Sequence, residues 1–457
     1  MTDRPHRSLI SRRAFLAGAS ALPLASLGAA RALGQVPASG QVDVVIIGAG
    51  AAGIAAARRV AAAGRTYALL EATKRPGGRA VTDTSIFGRP FDLGAFRLYN
   101  PLSNSLVEIG DETGAELYSA PDAARLYVNG REARESDYED FVSSVRRGER
   151  AIGAAGDAGR DLPAARVLPD LGPWAASAAF IMGPYTCAKE LDQVSSIDFS
   201  RAEERDAGAF IRTGVGSFMA GLASPLTVRF ETVANSIDLG PRMAQVFTNK
   251  GTVSGRMVIV AVPPSIINAG KLRIPYLPTR YRAAVERITL GAYDHIAFEW
   301  PGNPLRLRED ETVQVKAQDA RTFALVARLG GSNIHMLEVG GKLAQQLADG
   351  QPQAGAAFLK EALTREFGAS AAAKVGKVHH TRWSKEPFAL GAWSCALPGA
   401  GNLRRAFTEV VNGRLLFAGE HAHETQWGTL HGAWNSGERA ATQALRQLGV
   451  GSANLAQ

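Results

Sequence analysis

Val42-Asp43-Val44-Val45-Ile46-Ile47-Gly48-Ala49-Gly50-Ala51-Ala52-Gly53 is the stretch that decides how this 457-residue chain folds. Its first six residues form a short, nearly continuous apolar run, the pattern of a parallel strand buried on both faces. Gly48, Gly50 and Gly53 follow with G-x-G-x-x-G spacing. From Ile54 to Ala63 the chain is rich in Ala and Arg, which predicts a helix, and Gly64 ends it. Thr66 to Leu70 predicts a second strand, closing on Glu71. Each piece has a physical task. Gly48 permits a tight turn, Gly50 lets backbone approach a pyrophosphate, and Gly53 lets the helix lie close on the strand. The first helical turn, which holds Ala52, offers free N–H groups and the positive end of the helix dipole to phosphate. Glu71 stands 18 residues after Gly53, with Ala72 beside it, where a carboxylate can bind ribose hydroxyls. Strand, glycine turn, helix, strand and acid in this order predict a β-α-β dinucleotide-binding unit.

The residues that follow narrow the cofactor. Arg75-Pro76-Gly77-Gly78-Arg79-Ala80 is a second glycine-rich turn, whose Gly78 and Arg79 can bring more N–H groups and a cation to a pyrophosphate. Near the far end, Gly413 to Phe417 predicts a strand leading into Ala418-Gly419-Glu420-His421. The chain then runs through Trp427-Gly428-Thr429-Leu430 into a last helix. The Glu71…Gly77-Gly78-Arg79 pattern and this C-terminal segment resemble the amine oxidase family of flavoproteins, which includes monoamine, polyamine and L-amino acid oxidases. The resemblance covers about residues 42 to 445. It implies an α/β fold: a Rossmann-like FAD-binding domain of the two-dinucleotide-binding type, with an inserted α+β substrate domain. The FAD domain is expected in three pieces, 40–85, 226–285 and 396–450, and the substrate domain in two, 86–225 and 286–395. Residues 101–215 would be its helical part.

The same resemblance implies roles. Glu420 would bind the ribityl chain, Thr429 and Leu430 would point N–H groups at the flavin pyrimidine, and Val233 would present backbone to adenine. Gly94 and Ala95 would lie against the cofactor. FAD is expected to be noncovalent, because Ala392 stands where monoamine oxidases attach it through Cys. The family oxidises a C–N bond by hydride transfer to the flavin, so departures from its pattern bear on the substrate. Arg97, in Gly94-Ala95-Phe96-Arg97, is similar to the L-amino acid oxidase arginine that holds a carboxylate by a two-pronged hydrogen bond; an Arg paired with an internal acid or with the flavin is equally open. His295 stands where the family has the lysine implicated in the reaction with oxygen, which puts efficient use of oxygen in doubt; oxygen, a cytochrome or a quinone stays open as electron acceptor, and a plain interior His on a strand is equally open. Trp393 would be one aromatic wall over the flavin, and Trp383 flavin-side packing. The second wall is missing, with Thr429 where monoamine oxidases have Tyr. His421, His423 and His431 fall within the flavin segment, so no metal site is expected. Two other classes stay open: a flavin desaturase or dehydrogenase of an apolar substrate, and a non-catalytic flavin-binding protein.

Composition bounds the rest. At roughly 150 residues per domain the length suggests two or three domains. Residues 1–34 carry a basic start, Ser11-Arg12-Arg13-Ala14-Phe15-Leu16 and a mildly apolar, small-residue stretch. This resembles a twin-arginine export signal and implies a periplasmic or secreted protein. The segment holds five Arg and one Asp, a net of +4, which leaves +4 of the chain's +8 for the remainder. So weak an excess gives no basis for nucleic-acid binding. The chain beyond residue 34 has no apolar run of the ~20 residues a membrane span requires. Two cysteines, Cys187 and Cys395, exclude a disulfide-rich scaffold, while one bond between them stays possible.

Overall fold

The computed structural model describes residues 41–121, 124–205 and 208–451. The expected export segment, residues 1–34, lies outside the described residues.

β1 (Gln41–Ile47), α1 (Ala51–Ala62) and β2 (Tyr67–Leu70) make the opening β-α-β unit. β1 and β2 run parallel, with Ile46 opposite Leu69. Alternate side chains go to opposite faces of the sheet. Val44, Ile46 and Leu69 pack against α1 and α2 (Leu430–Gln447), whereas Val45, Ile47 and Leu70 pack toward Tyr281 and Val285 of the helix Thr279–Arg287. Both faces are covered, which is why these strands read as continuous apolar runs. β3 (Gly251–Val260) lies parallel to β1 on its other side, Val45 opposite Val258. Leu415–Phe417 runs parallel beside β3, and Val228–Arg229 beside β2. Ala234–Leu239 and Ala244–Thr248 add an antiparallel pair that completes a seven-stranded sheet. The apolar positions from Leu226 to Ile237 thus form two strands. Glu231, at a left-handed φ of 53°, turns the chain between them.

A second seven-stranded sheet is built from remote segments. In it β4 (Tyr293–Glu299) pairs antiparallel with β5 (Ile334–Gly340), His295 directly opposite Glu338. The period of two places Tyr293, His295 and Glu338 on one face. Ile296, Phe298, Leu337 and Val339 take the other, packed against the helices Gly341–Asp349 and Ala354–Phe367. Residues 101–215 hold the long helix Glu135–Asp157, as expected, but also the strands Leu117–Ser119, Arg125–Val128 and Gly208–Ile211. These strands are too short to show a period of their own and are held by partners distant in the chain.

One irregular turn matters for the site. Ile181–Tyr185 is a π-helical turn containing Pro184. Proline has no N–H for the α-helical ladder, so the turn widens. Glycines then let it approach the sheet: a Cβ on Gly340 would lie 2.1 Å from the Pro184 carbonyl oxygen, and one on Gly291 would lie 2.2 Å from that of Ala188. This close approach carries Tyr185 over β4 and β5. Just beyond it, Cys187 and Cys395 are free, buried thiols. Among the described residues no helix is long and apolar enough to cross a membrane.

Candidate active site

One continuous cavity of about 1980 Å³, its open mouth included, runs from the glycine turns to β4 and β5. Gly48, Gly50 and Ala52 line it from the first turn, Glu71 and Ala72 from the end of β2, and Gly78 and Arg79 from the second turn. Gly94, Ala95, Val233, Glu420, Thr429 and Leu430 line it from four other segments. Gly53 lies behind the wall, where a Cβ would sit 1.8 Å from the Gly48 carbonyl oxygen. Its task is the packing of α1 on β1.

The dinucleotide end is made largely of backbone. Gly77 N–H donates to the Ala49 carbonyl at 2.8 Å, which joins the two glycine turns. Gly50 caps α1 without any side chain, so the first-turn N–H groups stay available to phosphate. Glu71 accepts the Ala49 N–H at 2.8 Å on one oxygen, and the Thr73 N–H and hydroxyl at 2.9 and 2.7 Å on the other. The carboxylate is fixed, with lone pairs left for a ribose. Val233 donates its N–H to Asn249 Oδ1 at 2.8 Å. The Val233 carbonyl accepts the Asn249 N–H at 3.1 Å, so Val233 lines the cavity without a free N–H for adenine. The glycine turns, the first turn of α1 and Glu71 fit FAD.

Glu420 organises the C-terminal wall. Its Oε1 accepts Arg79 Nη1 and Ser394 N–H, both at 3.1 Å, and its Oε2 accepts the Ser394 hydroxyl at 2.7 Å and Gly428 N–H at 2.9 Å. Burial opposes its charge, but Arg79, His421, the Ser394 hydrogen bond and Arg404 outweigh burial and hold its pKa at about 2. Arg404 supports this group from behind. It bonds to Ser394 Oγ at 3.0 Å and grips Asp198 with two buried bonds of 2.8 and 2.6 Å. Thr429 is the N-cap of α2, accepting Gly432 N–H at 3.0 Å.

The other end of the cavity is made of side chains. Trp393 donates its indole N–H to the Thr186 carbonyl at 3.1 Å, and its ring centroid lies 4.5 Å from that of Tyr293. At that distance the two rings pack on one another and form one aromatic wall, and position 429 is Thr, as the sequence shows. Trp383 donates to the Leu93 carbonyl at 2.9 Å and lies over Gly94, where a Cβ would come within 2.9 Å of its ring. His295 lies edge-on to Phe96 at 5.4 Å, and its Nδ1 is buried without a hydrogen-bond partner. Burial pulls its pKa down to about 4 against the opposing pull of the Asp92 and Leu93 carbonyls, so the ring is neutral near pH 7. The Arg97 guanidinium lies 5.1 Å from the Phe96 ring centroid and 5.4 Å from that of Phe210, and its Nε has no partner. Burial works against this cation, but Tyr185, Tyr99 and Glu338 outweigh burial and raise its pKa. Glu338 accepts the Tyr293 hydroxyl at 2.8 Å and the Tyr185 hydroxyl at 3.4 Å. Burial raises its pKa, and Arg97 with the two phenols pulls it back.

Sequence reasoning thus reached Arg97, His295, Trp383 and Trp393, and the cavity brings all four together. It missed Glu338, Tyr185 and Tyr293. A signal existed for the first: an acid inside the apolar run Met336-Leu337-Glu338-Val339 is a buried charge in need of a partner. The histidines near the C-terminus go separate ways. His423 Nδ1 accepts Gln426 N–H at 3.0 Å, His431 Nδ1 meets Asn104 Nδ2 at 3.2 Å, and His421 packs on Phe407. Among the described residues no cluster of His, Cys, Asp or Glu has the makings of a metal site.

Comparison with known proteins agrees with this geometry. The chain is similar to the FLOWERING LOCUS D protein of Arabidopsis thaliana, 28% identical over 90% of this chain and 57% of that protein. It is similar to polyamine oxidase 4 of Oryza sativa subsp. japonica, 24% identical over 89% of each. The chain spans little more than half the length of the first curated relatives it matches, 57% and 52%. Its fold is shared with a putrescine oxidase bound to putrescine, at a TM-score of 0.76 and 18% identity, over 89% of this chain and 99% of the other. The cyclohexylamine oxidase of Brevibacterium oxydans also shares it, at a TM-score of 0.71 and 20% identity, over 89% and 99%. The family model for flavin-containing amine oxidoreductases matches residues 51–445. The chain belongs to the flavin-containing amine oxidoreductase family, whose cofactor is FAD.

Proposed function

We propose that this chain oxidises the C–N bond of an amine or an L-amino acid, the nitrogen-bearing carbon giving up a hydride. The observation that carries this reading is the single cavity joining a dinucleotide-shaped end to an aromatic pocket with charged groups. The names of polyamine oxidase 4, the putrescine oxidase and the cyclohexylamine oxidase support an amine substrate. FAD supplies, when bound, a flavin ring that accepts the hydride. The chain's own residues do the rest. Glu71 would hold the cofactor's ribose, and the two glycine turns would hold its pyrophosphate. Trp393 and Tyr293, packed on one another, would form one aromatic wall of the pocket, and the Arg97 guanidinium lines the same cavity, where it would meet a carboxylate. Ala392 lines the cavity and has no nucleophile, which supports a noncovalent cofactor.

His295 adds no positive charge near neutral pH, which supports a cytochrome or quinone as electron acceptor in preference to oxygen. The Arg12-Arg13 motif supports export by the twin-arginine route to the periplasm or beyond. The test is anaerobic: FAD-loaded protein is mixed with each amino acid and with its decarboxylated amine, and flavin absorbance is followed. Bleaching by either series supports C–N oxidation, and an oxidised spectrum with every compound refutes it.

A further inference from the structure

We propose that Glu338 is the charge-selecting residue of the substrate pocket, and that with Arg97 it makes this end of the cavity a receptor for a zwitterion, an α-amino acid, in preference to a simple amine. The inference rests on reading the cavity as the site of C–N oxidation.

A carboxylate buried in an apolar strand costs several kcal/mol unless it is well partnered. An apolar side chain at this position of β5 would avoid that cost. Glu338 has two neutral partners, the hydroxyls of Tyr293 and Tyr185. Each carboxylate oxygen keeps a lone pair beyond them. Arg97 faces the same cavity with its Nε unpartnered. It feels Glu338 through its field and through the Tyr185 hydroxyl between them.

Two opposite charges are therefore presented to one space, each with hydrogen-bonding capacity unused. A ligand carrying an ammonium and a carboxylate satisfies both. A simple amine satisfies only Glu338, and a simple acid only Arg97. The other groups around Glu338 do not supply a competing charge. From β4 these are Tyr293 and His295, both neutral near pH 7, and from the Arg97 segment Tyr99. The facing strand residue is Ala324. Arg205 also lines the cavity, with its Nη atoms bonded to the Thr186 and Trp427 carbonyls. Its charge adds to the preference for a carboxylate.

The test uses two shape-matched sets on FAD-loaded protein without oxygen. One is L-phenylalanine, phenethylamine and 3-phenylpropionate; the other is L-leucine, isoamylamine and 4-methylpentanoate. Binding is read from the flavin spectrum, and for the two acids, which have no C–N bond to oxidise, by calorimetry. In the native protein at least one zwitterion is expected to bind about ten-fold tighter than its amine and its acid. Glu338→Gln is expected to weaken the zwitterion and the amine by about ten-fold and to tighten the acid; Arg97→Met is expected to do the reverse to amine and acid. Shifts of opposite sign are not what a merely structural role produces. Native protein that binds neither zwitterion, or prefers both amines, overturns the proposal whatever the variants do. So does a Glu338→Gln protein in which amine and acid move together or not at all. A zwitterion that binds tightly and leaves the flavin oxidised breaks the C–N oxidation reading and spares this one. Flavin bleached by amines alone, with no zwitterion bound, does the opposite.

Discussion

At the Glu71 end of the cavity, what faces a ligand is mostly main chain: the N–H groups of two glycine turns and of the first turn of α1, with one carboxylate fixed by three hydrogen bonds. At the Glu338 end it is mostly side chain, contributed by β4, β5, the Arg97 segment and a π-helical turn. The two constructions fail in different ways. A site made of backbone tolerates no added atoms but is insensitive to protonation. A site made of buried Arg, Glu, His and Tyr tolerates modest changes of shape and depends on which groups are charged.

Substitutions can break or sharpen that contrast. The largest effect belongs to Gly53→Val, whose Cβ would meet a carbonyl oxygen at 1.8 Å. Protein recovered should carry less than roughly one FAD per ten chains by its 450 to 280 nm absorbance, because the turn that receives the pyrophosphate has moved. Full occupancy would show that the backbone end is softer than argued. Next comes Arg404→Met, which leaves Asp198 charged and buried and should cost about 3–5 kcal/mol in chemical denaturation. A loss under about 1 kcal/mol would mean that the remaining partners of Asp198, among them the Ala396 N–H at 2.8 Å, or entering water satisfy its charge.

The pH dependence is expected to report both ends. His295 and His421 are held at about 4 and about 3, below the ordinary histidine value, chiefly by burial. A histidine kept neutral in the fold stabilises above its unfolded pKa and loses that contribution as pH falls through about 6.5 toward the folded value. His335, His380, His423 and His431 are also held down, at about 3, about 4, about 4 and about 4, and act in the same direction, whereas Asp294 and Asp92, held up at about 7 and about 6 by burial, oppose them. On balance stability, read from thermal midpoints, should fall from pH 6.5 to pH 4, by up to about 1.4 kcal/mol per pH unit for each ring. Glu420, held low instead, contributes only to losses below its ordinary value of 4.5. A midpoint that stays level down to pH 5 would contradict the buried, neutral state of these histidines taken together. The smallest effect is expected of Tyr293→Phe, which removes one hydrogen bond to Glu338. Stability should change by about 1 kcal/mol, with FAD content unaltered.

The backbone end was legible in the sequence because its signal is local. Strand, glycine turn, helix, strand and Glu71 fit within thirty consecutive residues, 42–71, and each glycine states a steric requirement. The C-terminal turn around Glu420 was legible for the same reason. The side-chain end was not, because its members acquire meaning only through pairing. Glu338 faces His295 across strands that nothing in either segment registers to the other. Tyr185 reaches the pocket through a turn widened at Pro184, which helical periodicity does not predict. Tyr293 joins Trp393 only through the pairing of remote segments, which neither stretch of sequence announces. The strands within 101–215 escaped notice because two to four residues show no period.

The register of the first sheet has a bearing on biosynthesis. β1 is finished by residue 47, but its neighbour β3 ends at residue 260, and the strand that flanks β3 ends at residue 417. α2, which covers the same face as α1, closes only at residue 447. A chain emerging from the ribosome therefore holds its first strand unpaired on one edge for more than two hundred residues of synthesis. Pairings of such long sequence separation make folding slow and leave apolar edges open in the meantime. The pocket wall that contains Glu420 is made long after the glycine turns it faces. A cavity lined from both the glycine turns and the Glu420 segment is complete only once residue 420 and its neighbours have been made.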